Sequence, residues 1–230
     1  MYTNHETALS AYYRRLMKRV IYASLALLLS GEQGTTSDTK LVSKNTAPYK
    51  ANATMKLQEF WRVIDYAKQQ ADGDEGAQEK LLVETLAQYS PDEIIEFECL
   101  LRQCLEEADD FGVMAAEKII DGSVTDDSYI YFRCWLVAQG KKVFTEVVHN
   151  PDSLADVPSV GAFVEFEPLL YVATEAYKIR TGKQEEDASF SRDKATERGL
   201  SYDSGSETKG ADWTPEQLPA LLPKLWAKYN

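Results

Sequence analysis

The chain has 230 residues, 44% of them apolar and 27% charged, with three cysteines. That is enough for one domain and an extension, in a balance that excludes a wholly disordered chain, a collagen, a multi-pass membrane protein and a disulfide scaffold. Its 25 Lys and Arg against 37 Asp and Glu leave a net charge of −12, which argues against holding DNA or RNA through phosphates and suits basic partners or metal cations.

Residues 1–54 read as an N-terminal extension and linker. Arg14, Arg15, Lys18 and Arg19 precede the uncharged run Val20 to Leu29, so 14–30 has the basic-then-apolar shape of a secretory signal. The run is only half the length of a membrane span, which needs about twenty residues, and its cleavage region is poor. Cytoplasmic residence is the expectation, with export through Arg14–Leu29 as the alternative. The plainer reading of the segment is a helical tail or a start placed too far upstream, with Met17 and Met55 as later starts. Residues 31–54 are rich in Gly, Thr, Ser, Lys and Asn and read as a flexible linker.

Residues 55–182 carry a helical pattern. Leu57, Phe60, Trp61, Ile64 and Ala67 recur at three- and four-residue steps, one face of a helix. Asp72-Gly73-Asp74 breaks it, and Leu82, Leu86 and Tyr89 mark a second helix. Ser90-Pro91-Asp92-Glu93 is a start signal, with Ser as N-cap, Pro in the first turn and Glu closing a capping box. The third helix aligns Ile94, Phe97, Leu101, Cys104 and Leu105. It closes on Glu106, Glu107, Asp109 and Asp110, which read as a solvated negative face. A fourth helix from Phe111 stops at Asp121-Gly122. Thr125 or Asp126 then caps a helix with Tyr129, Phe132, Trp135 and Leu136 on its apolar face, ended by Gly140. Lys141–Val148 reads as a short helix, Gly161–Glu167 as a turn, and Phe166–Tyr177 as the core of a sixth helix ending at Thr181-Gly182.

Residues 183–210 are polar and aperiodic and read as a loop. In 211–230, Thr214 and Pro215 start two short turns and a final helix, because Pro219 and Pro223 prevent a long one. Leu218, Leu222, Leu225 and Trp226 should pin this segment to the domain. No alternating run is long enough for a sheet. The expected fold is mostly α, a compact multi-helix single domain with a flexible extension.

Catalytic templates fail. There is no G-x-S-x-G, Walker loop, G-x-G-x-x-G or H-E-x-x-H. His5 lies in the tail, and His149 reads as a surface or capping residue. Cys99, Cys104 and Cys134 read as core thiols, and without a Cys-x-x-Cys no zinc site, metal or cofactor is expected. Asp121, Asp126 and Asp127 could meet Mg²⁺ or Ca²⁺, but the EF-hand spacing is absent. The reading taken is N-capping, with Arg133 held by Asp126 or Asp127. Tyr129, Tyr131, Phe132, Arg133 and Trp135 crowd one helix, so it is buried on both sides or one side binds something.

The run from Asp126 to Gly140, DDSYIYFRCWLVAQG, resembles the signature S-D-D-x-F-x-Y-F-R-x-W-L-I-x-x-G of bacterial proteins in the domain of unknown function 4240 family. The opening MKLQEFWRVID, the Asn150-Pro151-Asp152 stretch and the closing WTPEQLPALLPKLWAKY agree, so the resemblance spans 55–229. Val124-Thr125 stands where Cys-Ser is common, and Tyr129 where Phe is common. The resemblance implies a mostly helical soluble bacterial domain and no established activity. Two functional readings remain. One is a non-enzymatic protein-binding or regulatory module for a basic protein, without nucleic acid or a stable membrane span. The other is an enzyme using Asp126, Asp127 and Arg133, with or without a divalent metal. Asp126, Asp127, Tyr129, Arg133 and Trp135 are the binding candidates.

Overall fold

A computed structural model describes residues 55–158, 164–202 and 207–230, all within the unit Tyr49–Asn230. The signal-like segment at 14–30, the linker and the first part of the turn expected at Gly161 lie outside the described residues. In chain order the α-helices are α1 (Leu57–Ala71), α2 (Glu75–Leu86), α3 (Pro91–Glu107), α4 (Phe111–Asp121), α5 (Asp126–Ala138), α6 (Lys141–His149), α7 (Leu169–Thr181), α8 (Ser191–Glu197), α9 (Leu218–Leu221) and α10 (Pro223–Tyr229). Pro151–Asp156 and Pro215–Gln217 form 3-10 turns. Among the described residues the only extended pairing is an isolated bridge between Asp110 and Lys209, so the fold is all-α. No helix among them is long and apolar enough to cross a membrane.

Local chemistry sets the boundaries. In α1 the stripe Phe60, Trp61, Ile64 and Ala67 is buried, and Asp72 ends the helix in the left-handed region at φ 48°. The Asp74 carboxylate starts α2 by accepting from the Ala77 N–H at 2.8 Å. Ser90 and Glu93 exchange both capping-box bonds around Pro91, which satisfies donors that an uncapped helix leaves open. Thr125 and Ser128 do the same for α5.

The core surrounds α5, which touches α1, α3, α4, α6 and α7. Phe60 and Phe97 bring α1 and α3 together with ring centroids 4.8 Å apart, and Trp61 meets Phe144 of α6 at 5.1 Å. Phe60, Phe97, Leu101, Phe132 and Leu136 are fully buried, each worth about 1.5–3 kcal/mol relative to exposure.

Two expectations are corrected. Residues 183–210 are not simply a polar loop: they contain α8 and bury Phe190 and Ala195. A buried arginine of α3 anchors them. Arg102 donates to Glu98 Oε1 at 2.9 Å on its own helix, to the Leu200 carbonyl at 2.7 Å, to Thr196 Oγ1 at 3.1 Å and to the Arg192 carbonyl at 3.1 Å. A seven-residue helix with so few apolar positions leaves no periodicity to read. Asp109 and Asp110 are likewise not part of a solvated face. Both are partly buried, and Asp110 caps α4 by accepting from Gly112 N–H at 2.7 Å.

At the C-terminus Leu218, Leu222 and Leu225 are buried as expected, while Trp226 is only half-buried. Asp152 supplies the cap that the sequence left unassigned. Its Oδ1 accepts from the main-chain N–H of Lys224 and of Leu225, both at 3.0 Å. Asp152→Ala should therefore cost about 1–2 kcal/mol, the usual worth of an N-cap, read as a lower denaturation midpoint. Hydrogen exchange should rise over 223–229 and stay unchanged over 94–105.

Candidate functional site

The candidate residues sit on α5, and most of them face inward. Tyr129, Arg133 and Trp135 are 4–5% exposed. The Tyr129 hydroxyl lies at the α3–α4 junction, accepting from the Asp110 N–H at 3.0 Å and within donor distance of the Ala108 and Asp110 carbonyls. Burial pushes this phenol well above its ordinary range. The Arg133 guanidinium lies over the Tyr129 ring, 4.5 Å from its centroid. It donates to the Leu105 carbonyl at 2.9 Å and more weakly to the Tyr129 carbonyl at 3.4 Å. Asp109 stands 4.0 Å away. Leu105 belongs to the last turn of α3, where carbonyls lack helical partners and a cation is favoured. Arg133 is therefore a C-terminal cap for α3, supplied by another helix.

The expected pairing of Arg133 with Asp126 or Asp127 is not formed. Both aspartates are exposed in the first turn of α5. Asp127 projects from a different side of the helix, and Asp126 is two turns away, about 10 Å along the axis. The Leu105 carbonyl is adjacent. The carboxylate–arginine constellation of the enzyme reading is thus not assembled at α5.

The other end of α5 is also closed from outside. Gln78 of α2 donates to the Ala138 carbonyl at 2.9 Å, and Lys68 of α1 donates to the Gln139 carbonyl at 2.5 Å. Burial lowers the Lys68 pKa, with Asp65 acting against it. Gly140 follows at φ 92°, and a Cβ there would collide with Asp65 Oδ1. That same oxygen accepts from the Lys141 N–H at 3.0 Å and caps α6. Sequence reasoning missed Asp65, Lys68 and Gln78, because polar residues on α1 and α2 look like any solvated face.

Trp135 stacks on Phe132 with centroids 6.0 Å apart and lines a pocket of about 460 Å³ beside the α1–α2 turn, together with Asp65, Lys68, Asp72, Glu75, Gln78 and Gln139. Burial raises the Glu75 pKa, with Asp74 adding to it. A second pocket of about 470 Å³ shares Asp65 and Gln69 with the first and adds Trp61, Arg62, Tyr66 and Lys141. A third of about 320 Å³ shares Gln58 and Arg62 with the second. The three form a trough along α1. In its third part Arg62 holds Glu59 at 2.5 Å, and its hydrogen bond keeps that carboxyl below the usual range.

Among the described residues no three His, Cys, Asp or Glu side chains converge as metal ligands. The three cysteines are free and buried. Burial pushes the Cys104 thiol up to about 12 and Cys134 further, so neither is poised as a nucleophile. His149 Nδ1 lies 2.8 Å from the Thr145 carbonyl, one turn back on α6.

This geometry fixes the outcome of a double-mutant cycle. Arg133→Met should cost about 2–4 kcal/mol, because it strands the Leu105 carbonyl and removes a buried stack. Asp126→Asn and Asp127→Asn should each stay within about 0.5 kcal/mol, and their coupling to Arg133→Met should be near zero. Urea midpoints of the single and double variants give all three values.

No curated protein and no solved structure matches the chain. One family does match, described as proteins of unknown function (DUF4240), over residues 55–179. The matched stretch runs from α1 almost to the end of α7 and includes the whole of α5, while α8, α9 and α10 lie beyond it. With more than half its length matched, the chain belongs to the DUF4240 family of proteins of unknown function.

Proposed function

We propose that the domain is a non-enzymatic binding module that takes a basic polypeptide segment along the trough beside α1. The observation that carries this reading is the charge of the pocket at the α1–α2 turn. Asp65, Asp72 and Glu75 line it against a single cation, Lys68. The Lys68 ammonium already serves the Gln139 carbonyl, and Asp65 already caps α6. Asp72 and Glu75, both exposed at the rim, are left to meet an incoming Lys or Arg. The stem of such a side chain would lie toward the Trp135 edge, since long basic side chains cover apolar surface while their heads stay charged. Over residues 55–230 there are 34 Asp and Glu against 18 Lys and Arg, a field that draws cations in and turns phosphates away.

The enzyme alternative draws no support from this trio, because Arg133 is committed to main-chain carbonyls and Asp126 and Asp127 stand apart from it. Three unlinked buried thiols suit a reducing compartment, and this supports a cytoplasmic location as part of the proposal.

Fluorescence anisotropy of the full chain against labelled deca-lysine and deca-glutamate tests the proposal. Deca-lysine should bind at low salt and weaken steeply as salt rises. Asp72→Asn combined with Glu75→Gln should weaken it about tenfold, about 1.4 kcal/mol. Asp126→Asn combined with Asp127→Asn should change it less than about twofold. Equal losses in the two double variants would reduce the effect to general charge and overturn the assignment, as would no binding of deca-lysine at all.

A further inference from the structure

We propose that Glu117 and Asp121 of α4 form a proton-operated joint. Neutral, they let α4 close on α5, on the Val164–Phe166 segment and on α10; ionised, they loosen that closure.

Glu117 is 0% exposed, and both of its carboxyl oxygens are buried without a hydrogen-bond partner. Asp121 lies one turn further along the same helix, and its Oδ1 is also buried and unpartnered. A buried charge in that position is strongly disfavoured, and a carboxyl there keeps its proton instead. Two acids one turn apart reinforce this, because the first charge opposes the second.

The surroundings supply no counter-charge that is still available. On α5 the neighbours are Ser128 and Arg133. The Ser128 hydroxyl is directed at the Thr125 carbonyl, 3.2 Å away, and the Arg133 guanidinium serves Leu105 and Tyr129. The Val164–Phe166 segment is tied to α5 by the Phe166 N–H donating to the Tyr131 carbonyl at 3.1 Å. It brings the Glu165 carboxylate and a main-chain hydrogen bond from Val164 to Asp121. From α10 comes Tyr229, close enough to feel the Asp121 charge. Lys224 and Lys228 of α10 bind Asp156 and the Ala155 carbonyl. The 3-10 turn Pro151–Asp156 adds Asp152, committed to the α10 cap, and Asp156. On α4 itself Lys118 is turned to the Gly122 carbonyl at 2.6 Å.

Burial lifts the Glu117 pKa to about 7, opposed by the nearby Ser128 hydroxyl and the Arg133 charge and reinforced by Asp121 and Glu165; burial lifts Asp121 to about 6, opposed by the Val164 main-chain hydrogen bond and reinforced by Glu165. Both exceed their unfolded values of 4.5 and 3.8. The folded chain therefore binds the proton more tightly than the unfolded chain does. The stability this gives is full below the unfolded values and is lost as pH rises through about 6 and then 7. The joint thus changes state within the physiological range.

The test uses the full chain and two measurements. In carboxyl ¹³C NMR, one Glu resonance should titrate near neutrality and vanish in Glu117→Gln. In hydrogen exchange corrected for intrinsic rates, protection over 111–121, 126–130 and 223–229 should fall about tenfold from pH 6 to pH 8 in the wild type. Protection over 94–105 should not change. Glu117→Gln should abolish that fall, and the exposed-site variant Asp127→Asn should keep it. If Glu117→Gln does not fold, Asp121→Asn and the wild-type titration decide. A Glu117 resonance that titrates below pH 5, or a fall in protection that is the same in wild type and buried-site variants, overturns the proposal.

Discussion

A guanidinium taken out of water must find acceptors, and Arg133 finds them at the end of a neighbouring helix. Its bond to Leu105, with Tyr129 lying under its plane, joins the middle of α5 to the last turn of α3 and to the α3–α4 junction. The direction of α4 depends on that junction, since Asp110 holds both the Tyr129 hydroxyl and the first turn of α4. An arginine suits the position better than a lysine. It keeps its charge when buried and spreads its donors over a plane that can stack on a ring.

The same device recurs at the other end of α5. Gln78 and Lys68 supply donors to the last carbonyls, and Asp65 supplies an acceptor to the next helix. Each of these bonds joins elements far apart in sequence, so the helix ends carry tertiary information as well as local satisfaction. The aspartate–aromatic–arginine–tryptophan–glycine string of α5 is then understood as a list of structural duties. Thr125 and Ser128 start the helix, Tyr129 and Arg133 tie it to α3 and α4, Trp135 and Phe132 fill the space beside α1, and Gly140 lets Asp65 approach. What is left at the surface beside this helix is the acidic pocket, and that is where the proposed recognition is located.

Features that depend on a few consecutive residues were legible in the sequence. The capping box at Ser90 and Glu93, the proline starts at Pro91 and Pro215, the glycine stops after α4 and α7, and the apolar stripes of α1 and α3 are all local patterns. Features that depend on distance were not. Asp65 caps Lys141 across 76 positions and Arg133 meets Leu105 across 28, and no periodicity encodes either partner. Arg133 was assigned to the nearest acids in sequence, but the helix turns one of those acids away and leaves the other out of reach. Asp109 and Asp110 looked like a solvated cluster because charge alone does not show which carboxylates are needed as caps. Glu117 was hidden for the opposite reason: an acid next to Lys118 on a short helix reads as solvent face, yet it is among the most deeply buried side chains of the domain. The site candidates on α5 were found by their chemical density, although most of that density proved to be core.

The clamp made by Arg102 has a consequence for how the chain is assembled as it is synthesised. Its ion pair with Glu98 lies one turn apart on α3, so winding that helix is enough to bring the two together. The remaining acceptors, Arg192, Thr196 and Leu200, follow 90, 94 and 98 positions later. A ribosome adding roughly 5–20 residues per second delivers them several seconds after α3 has emerged. Until then the pair stands in water, where it stabilises little but keeps the guanidinium aimed. When the last third of the chain arrives it meets an oriented donor, and its docking dehydrates an ion pair that was already made.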